Sequence, residues 1–181
     1  MLEGAPDALL DTYEAERRPI ALEVLGLSTR LLRAAMERGD MRRGRENHEL
    51  DLGYPDSPLS LERRPRVGRP RAGDRAPDAR FDGAGGCAAR LFDLFRGPQF
   101  TLLGFEPGGV GVDVRPRRGL AIRRVGPAGE LRGAAGDIAT AYDPDPGDWF
   151  LVRPDGYVAA IVAAGGDDAL EAHLQRPGLA V

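Results

Sequence analysis

A chain of 181 residues with 25 basic and 28 acidic side chains, net charge −3, is enough for one ordinary domain plus an appendage. Its mild acidity speaks against nucleic acid or an anionic membrane as partner, and no apolar run approaches the ~20 residues of a membrane span. The single cysteine, Cys87, rules out an intrachain disulfide and a cysteine-built zinc or iron–sulfur centre. All 25 basic residues are arginine, the composition of a GC-rich coding bias, so runs such as Arg42-Arg43, Arg63-Arg64 and Arg117-Arg118 read as solvated surface. Acidic and polar residues stand where a signal peptide would need an apolar core, which predicts a cytoplasmic location.

In chain order, residues 7–38 read as helix. Leu9, Leu10, Tyr13, Ile20, Val24, Leu27, Leu31, Leu32 and Met36 recur at three- and four-residue steps. Pro6-Asp7 is a start signal and Gly39-Asp40 a stop. Pro19 removes a backbone donor and clashes with the preceding turn, so a break or kink between two helices is expected there. The second of these, with Ile20, Val24, Leu27, Leu31 and Leu32 along one side, needs a partner surface.

Residues 46–72 read as a linker, or an arm laid over a partner domain. Pro55, Pro58, Pro65 and Pro70 punctuate a charged stretch, and only Glu49 to Tyr54 alternates like a strand. From 73 to 181 the chain reads as a compact domain. Leu91 to Phe95 is a short helix or turn after a Gly-rich loop. Phe100 to Phe105, bounded by Gly97-Pro98 and Pro107-Gly108, has the profile of a buried central strand. Gly119 to Val125 is a second strand, and residues 134–142 make a short helix. Trp149 to Arg153 and Tyr157 to Val162 form a hairpin around Pro154-Asp155-Gly156. Asp167 to Gln175 closes the chain as a helix capped by Asp167 or Asp168.

Strand, helix, strand, antiparallel hairpin and helix, in that order, are the elements of a thioredoxin-like fold. The opening Gly73-Asp74-Arg75-Ala76-Pro77-Asp78 is similar to the start of peroxiredoxin-type domains of that fold. Two further segments carry a more specific resemblance. Leu9-Leu10-Asp11-Thr12-Tyr13-Glu14-Ala15-Glu16-Arg17-Arg18-Pro19 resembles the segment after the second flavin-contacting motif of FAD-dependent aromatic-ring hydroxylases, the phenol-hydroxylase-like flavoprotein monooxygenases. Arg153-Pro154-Asp155-Gly156-Tyr157-Val158-Ala159 resembles a hairpin of their C-terminal domain. The resemblance implies an α/β, thioredoxin-like domain (a central mixed sheet flanked by helices) at 73–181. The helical segment 1–45 would be the tail of the flavin-domain region and 46–72 a Pro-rich linker. It also implies hydroxylation of a phenol or polyketide-like aromatic with FAD, NAD(P)H and oxygen, all handled upstream of this segment. Met1 stands where the family has an aliphatic residue, so an internal start, a split gene or a fragment is expected.

The residues themselves offer little chemistry. A working thioredoxin or peroxiredoxin carries a thiolate just after the central strand, at a helix N-terminus that lowers its pKa. Here that position reads Phe105-Glu106-Pro107-Gly108-Gly109-Val110, without Cys, Ser or Thr. Cys87 precedes the strand and has no resolving partner, so it reads as an inert small residue. Gly83-Ala84-Gly85-Gly86 and Gly108-Gly109-Val110-Gly111 lack the spacing and the acidic residue of a dinucleotide fingerprint and read as loops. His48 and His173 have no metal-ligand neighbours at useful spacing. Asp143-Pro144-Asp145-Pro146-Gly147-Asp148 reads as a turn rather than a calcium loop. Arg153 and Asp155 are placed to pair across the hairpin turn. No catalytic, cofactor-binding or metal residue is therefore assigned to this chain; FAD and NAD(P)H belong to the full-length family. The expected role is packing or dimerisation, with a second copy or a flavin-binding portion as partner. The alternative is a stand-alone thioredoxin-like binding or assembly protein without redox activity; a thiol peroxidase or reductase using Cys87 is the third reading.

Overall fold

The computed structural model describes residues 8–38, 52–66, 68–82, 88–105, 114–127, 129–131 and 135–176. Its centre is the hairpin foreseen from Pro154-Asp155-Gly156. Strand β6 (Trp149–Val152) and strand β7 (Val158–Val162) pair antiparallel. Gly156 takes φ +84 in the turn, a left-handed value that glycine adopts without the Cβ clash other residues meet. Strand β4 (Phe100–Phe105) lies antiparallel to β6, with Leu102 opposite Leu151, and parallel to strand β5 (Leu120–Val125), with Leu102 opposite Ile122. The order β7-β6-β4-β5 is that of a thioredoxin-like core, and strand β1 (Leu61–Arg63) extends it by pairing parallel to β7. All six residues of β4 are buried, as the unbroken apolar run requires of a strand covered on both faces.

The two faces of the sheet carry separate cores. On one, Leu103, Phe105, Phe150, Val152 and Ile161 pack with helix α2 (Leu91–Leu94) and helix α3 (Ala135–Tyr142) through Leu91, Ile138 and Tyr142. On the other, Leu102, Trp149, Leu151 and Val162 pack with helix α4 (Asp167–Leu174) through Leu170 and Leu174, and with Leu59. The register between β6 and β7 slips at Leu151/Val152, leaving Ala159 as an extra residue on β7. That slip lets Ala159 and Ala160 share one core while Val158 and Ile161 join the other. A small antiparallel pair, strands β2 (Arg80–Asp82) and β3 (Ala88–Arg90), stands apart from the main sheet.

Four expectations change. Helix α1 runs from Ala8 to Arg38 as one 31-residue element through Pro19, with no break into two helices. Proline removes only one donor, and the turns on either side of it continue the helix. The strand expected from Glu49 to Tyr54 does not form where it is described. Residues 52–54 are irregular, and the Tyr54 amide donates instead to the carbonyl of Gly73 at 2.8 Å. Within the stretch read as linker or arm, Leu61–Arg63 is a strand of the main sheet, and Tyr54, Leu59 and Ala72 are buried. Finally, the residue preceding α4 is Gly166, with no side-chain cap; Asp167 and Asp168 sit in the first turn, where a negative charge meets the positive end of the helix dipole.

Candidate functional site

Several positions singled out in the sequence lie outside the described residues: His48, the Gly-rich segment with Cys87, and residues 106–113 after β4. Among the described residues no three of His, Cys, Asp and Glu converge on a point that could hold a metal ion. The acidic turn is closed by arginine. Arg66 donates to Asp145 and to Asp143 at 2.6 Å each, and the Asp143 carboxyl is held below its usual range by that hydrogen bond. The Asp145 amide donates to the buried Asp148 carboxylate at 2.9 Å, and burial raises the Asp148 pKa. This fits the expected turn.

His173 is buried on α4, 2% exposed, facing Leu59 and Ala159. Burial, reinforced by the charge of Arg176, pushes its pKa down to about 4. The imidazole is therefore neutral at physiological pH and serves as a core residue between α4, β7 and the arm.

A polar cluster that joins three distant parts of the chain centres on Glu16. This residue, on an otherwise exposed turn of α1, is 6% exposed. Arg153, at the end of β6, donates from Nη1 to Glu16 Oε1 at 2.5 Å and from Nη2 to Oε2 at 3.0 Å, the two-pronged geometry in which guanidinium matches carboxylate. Ser57 of the arm donates to the same Oε1 at 2.6 Å. Arg153 also donates to Asp155 across the turn, from Nε at 3.1 Å and from Nη2, the pairing expected from the sequence. Around this polar centre, Tyr54 and Tyr157 meet edge to face at 4.8 Å, and the Arg17 guanidinium lies over Tyr54 at 5.5 Å. Burial, with Tyr157 beside it, pushes the Tyr54 phenol up to about 12. Burial alone would raise the Glu16 pKa, but the hydrogen bonds from Arg153 and Ser57 outweigh it and hold the carboxyl below its usual range.

Such a carboxylate stays ionised and covered on both oxygens, so it suits a clasp and not a proton shuttle. The clasp draws three segments together: helix α1, the arm at Ser57 and the hairpin turn. It also brings together the two segments whose resemblance was strongest in the sequence. Sequence reading found Arg153 and Asp155 but missed Glu16 and Ser57. The available signal was a glutamate on the same side of the predicted helix as Ile20 and Leu27, among apolar residues. The arm is tied down separately. Arg64, read from the sequence as solvated surface, is instead buried over the Phe150 ring at 5.4 Å, donating to Glu62 at 2.9 Å and to the carbonyl of Pro70 at 2.6 Å.

The described residues do not form a Rossmann-type dinucleotide fold. A dinucleotide site of the Rossmann type needs βαβ units with glycines at a strand–helix turn, whereas the interior strands β7, β6 and β4 pair antiparallel and the two parallel pairs, β1 with β7 and β4 with β5, lie at the edges of the sheet. Two hollows among the described residues lie on the surface. One, of about 470 Å³, is lined by Asp11, Glu14, Ala15, Arg18, Pro19 and Leu22 on α1; the other, of about 530 Å³, runs past Arg69, Arg71 and Arg75.

Known proteins give this geometry its family. A flavin-dependent monooxygenase of Mycobacteroides abscessus is 37% identical over 167 residues, covering 91% of this chain and 30% of the relative. The crystal structure of aklavinone-11 hydroxylase with FAD and aklavinone superposes with a TM-score of 0.66 at 27% identity, over 95% of this chain and 35% of that one. The flavin-dependent monooxygenase PieE, solved with FAD and substrate, shares the fold with a TM-score of 0.67 at 22% identity, over 94% of this chain and 40% of that one. This chain thus spans between 30% and 40% of the length of these relatives. The family described as aromatic-ring hydroxylase, C-terminal, matches residues 69–177, more than half of the chain. The chain belongs to that family, the C-terminal region of the aromatic-ring hydroxylases.

Proposed function

We propose that this chain works as the C-terminal module of a flavin-dependent aromatic-ring hydroxylase and carries none of the redox chemistry itself. The supporting observation is the Glu16–Arg153 clasp, which fastens the flavin-domain-like helix to the family's C-terminal domain. FAD and NAD(P)H would bind in the part of the relatives' length that this chain does not span, where a phenol or polyketide-like aromatic would be hydroxylated. The module would hold α1 in a fixed position and supply packing or dimer contacts. A second reading, a stand-alone binding or assembly protein, is favoured by the apolar residues that α1 exposes, among them Leu22, Leu25 and Met36. The test is NAD(P)H oxidation by the purified chain with added FAD and a panel of phenols. No consumption above the protein-free rate is expected; sustained, substrate-stimulated consumption would overturn the reading.

A further inference from the structure

The turn of the arm at residues 54–60 is held by two different helices. Its own bonds make it compact: the Ser60 hydroxyl donates to the Tyr54 carbonyl at 2.7 Å, and the Ser60 amide to the Ser57 carbonyl at 2.9 Å. On one side Leu59 packs with Leu170 and Leu174 of α4, beside His173, and Arg176 just past α4 donates to the Pro58 carbonyl at 2.8 Å. On the other side Ser57 donates to Glu16 of α1 at 2.6 Å. One atom joins the two sides, since Ser57 Oγ also accepts from the Leu59 amide at 3.0 Å. We infer that this turn relays the state of α4 to α1: a proton taken up by His173 lifts Leu59 off α4 and, through Ser57, slackens the Glu16 clasp while the sheet stays folded.

His173 is the trigger because nothing around it balances a charge. Neither of its ring nitrogens has a hydrogen-bond partner among the described residues. An imidazolium carries two donors and a charge, and both are costly in a buried apolar place. Strand β7 presents only Val, Ala and Ile, and the turn offers Pro58 and Leu59. Among the described residues Arg176 is the one charge that acts on the ring, and it opposes protonation. Glu171, the acid next to it along α4, is taken by Arg117 and the Arg115 amide. Strand β7 is paired on both sides, with β1 and β6, whereas residues 54–60 lie outside the sheet, so the turn is the element that yields. A ring returned to water regains its ordinary value of 6.5, against about 4 when buried. Lifting therefore takes up a proton and becomes more favourable as pH falls below 6.5, by about 50-fold between pH 7 and 4.5. Glu16, held below its usual range, is still ionised there, so the clasp does not fail by its own titration. The relay goes beyond the hydroxylase reading and rests only on contacts within this chain.

The test is amide hydrogen exchange of the whole chain at pH 7 and 4.5, corrected for the intrinsic rate and read peptide by peptide. Protection at residues 54–60 and in α1 around Glu16 should fall by up to about 50-fold at the lower pH. Protection in β4 and β6 and the near-ultraviolet signal of Trp149 should be unchanged. His173→Gln, which cannot be charged in this range, should hold α1 protection level between the two pH values. Ser57→Ala, which keeps His173 and cuts the relay, should leave the loss at residues 54–60 pH-dependent and that in α1 not; should His173→Gln fail to fold, Ser57→Ala decides alone. Equal α1 protection at both pH values in the parent chain would overturn the proposal. So would a loss shared by helix and sheet, and an acid loss in α1 that persists in either folded variant.

Discussion

At the scale of single residues, the fold depends on polar groups that are buried and paired. Glu16 is the clearest. Its side chain and that of Arg153 are 5% and 10% exposed, so removing one partner strands the other in a poorly solvated place. Glu16→Gln keeps the shape and removes the charge. We expect it to lower stability against urea by about 1–3 kcal/mol, the usual worth of a hydrogen bond to a charged group. We also expect faster amide exchange in α1, with exchange in β4 and β6 little changed. Equal loss of protection in helix and sheet would mean that the contact is not a clasp. His173 sets a different dependence. Its pKa falls from 6.5 to about 4 on folding, so the folded state disfavours the proton. The stability tied to it is full above pH 6.5 and is lost as pH falls towards 4, by up to about 3 kcal/mol. The depressed carboxyls of Glu16, Glu171 and Asp143 act in the same direction but below their ordinary carboxyl values, and Asp148, whose pKa is raised, acts in the opposite one. Between pH 6.5 and 4.5 His173 is therefore the group that lowers stability as pH falls, with Asp148 opposing it towards the acid end. Denaturation midpoints for His173→Gln should fall less across that window than those of the parent chain; an unchanged slope would place the titration elsewhere.

At the scale of elements, apolar patterning made the domain legible. The unbroken run from Phe100 to Phe105 and the turn signal at Pro154-Asp155-Gly156 led to β4, β6 and β7, because continuous burial and a glycine turn are local properties. Leu61–Arg63 was illegible, since a three-residue edge strand with two exposed charged residues has no pattern of its own and exists only by pairing with β7. Pro19 misled for a related reason: a local breaker signal was overridden by helix on both sides. The clasp was half legible, as Arg153 and Asp155 are near neighbours while Glu16 is 137 residues from Arg153. Close packing between elements gives another prediction. A Cβ on Gly104 of β4 would come within 2.5 to 2.7 Å of the Trp149 ring on β6. Gly104→Ala should therefore displace that ring and lower stability by about 1–3 kcal/mol. The near-ultraviolet dichroism of the single tryptophan reads the change directly; an unaltered spectrum with unaltered stability would contradict the packing described.

At the scale of the whole molecule, a thioredoxin-like sheet has become a scaffold that receives a helix. The two-sided core explains why the domain holds together: α2 and α3 cover one face, α4 and the arm the other. The clasp and the arm then hold α1 through Glu16. This arrangement supports the proposed division of labour, with the chemistry of the hydroxylases placed in the part of their length that this chain does not span. The visible absorption spectrum of the purified chain, followed by titration with FAD, tests that division most directly. The account predicts a colourless protein that does not retain FAD through gel filtration. A flavin spectrum co-purifying near one equivalent per chain would contradict it.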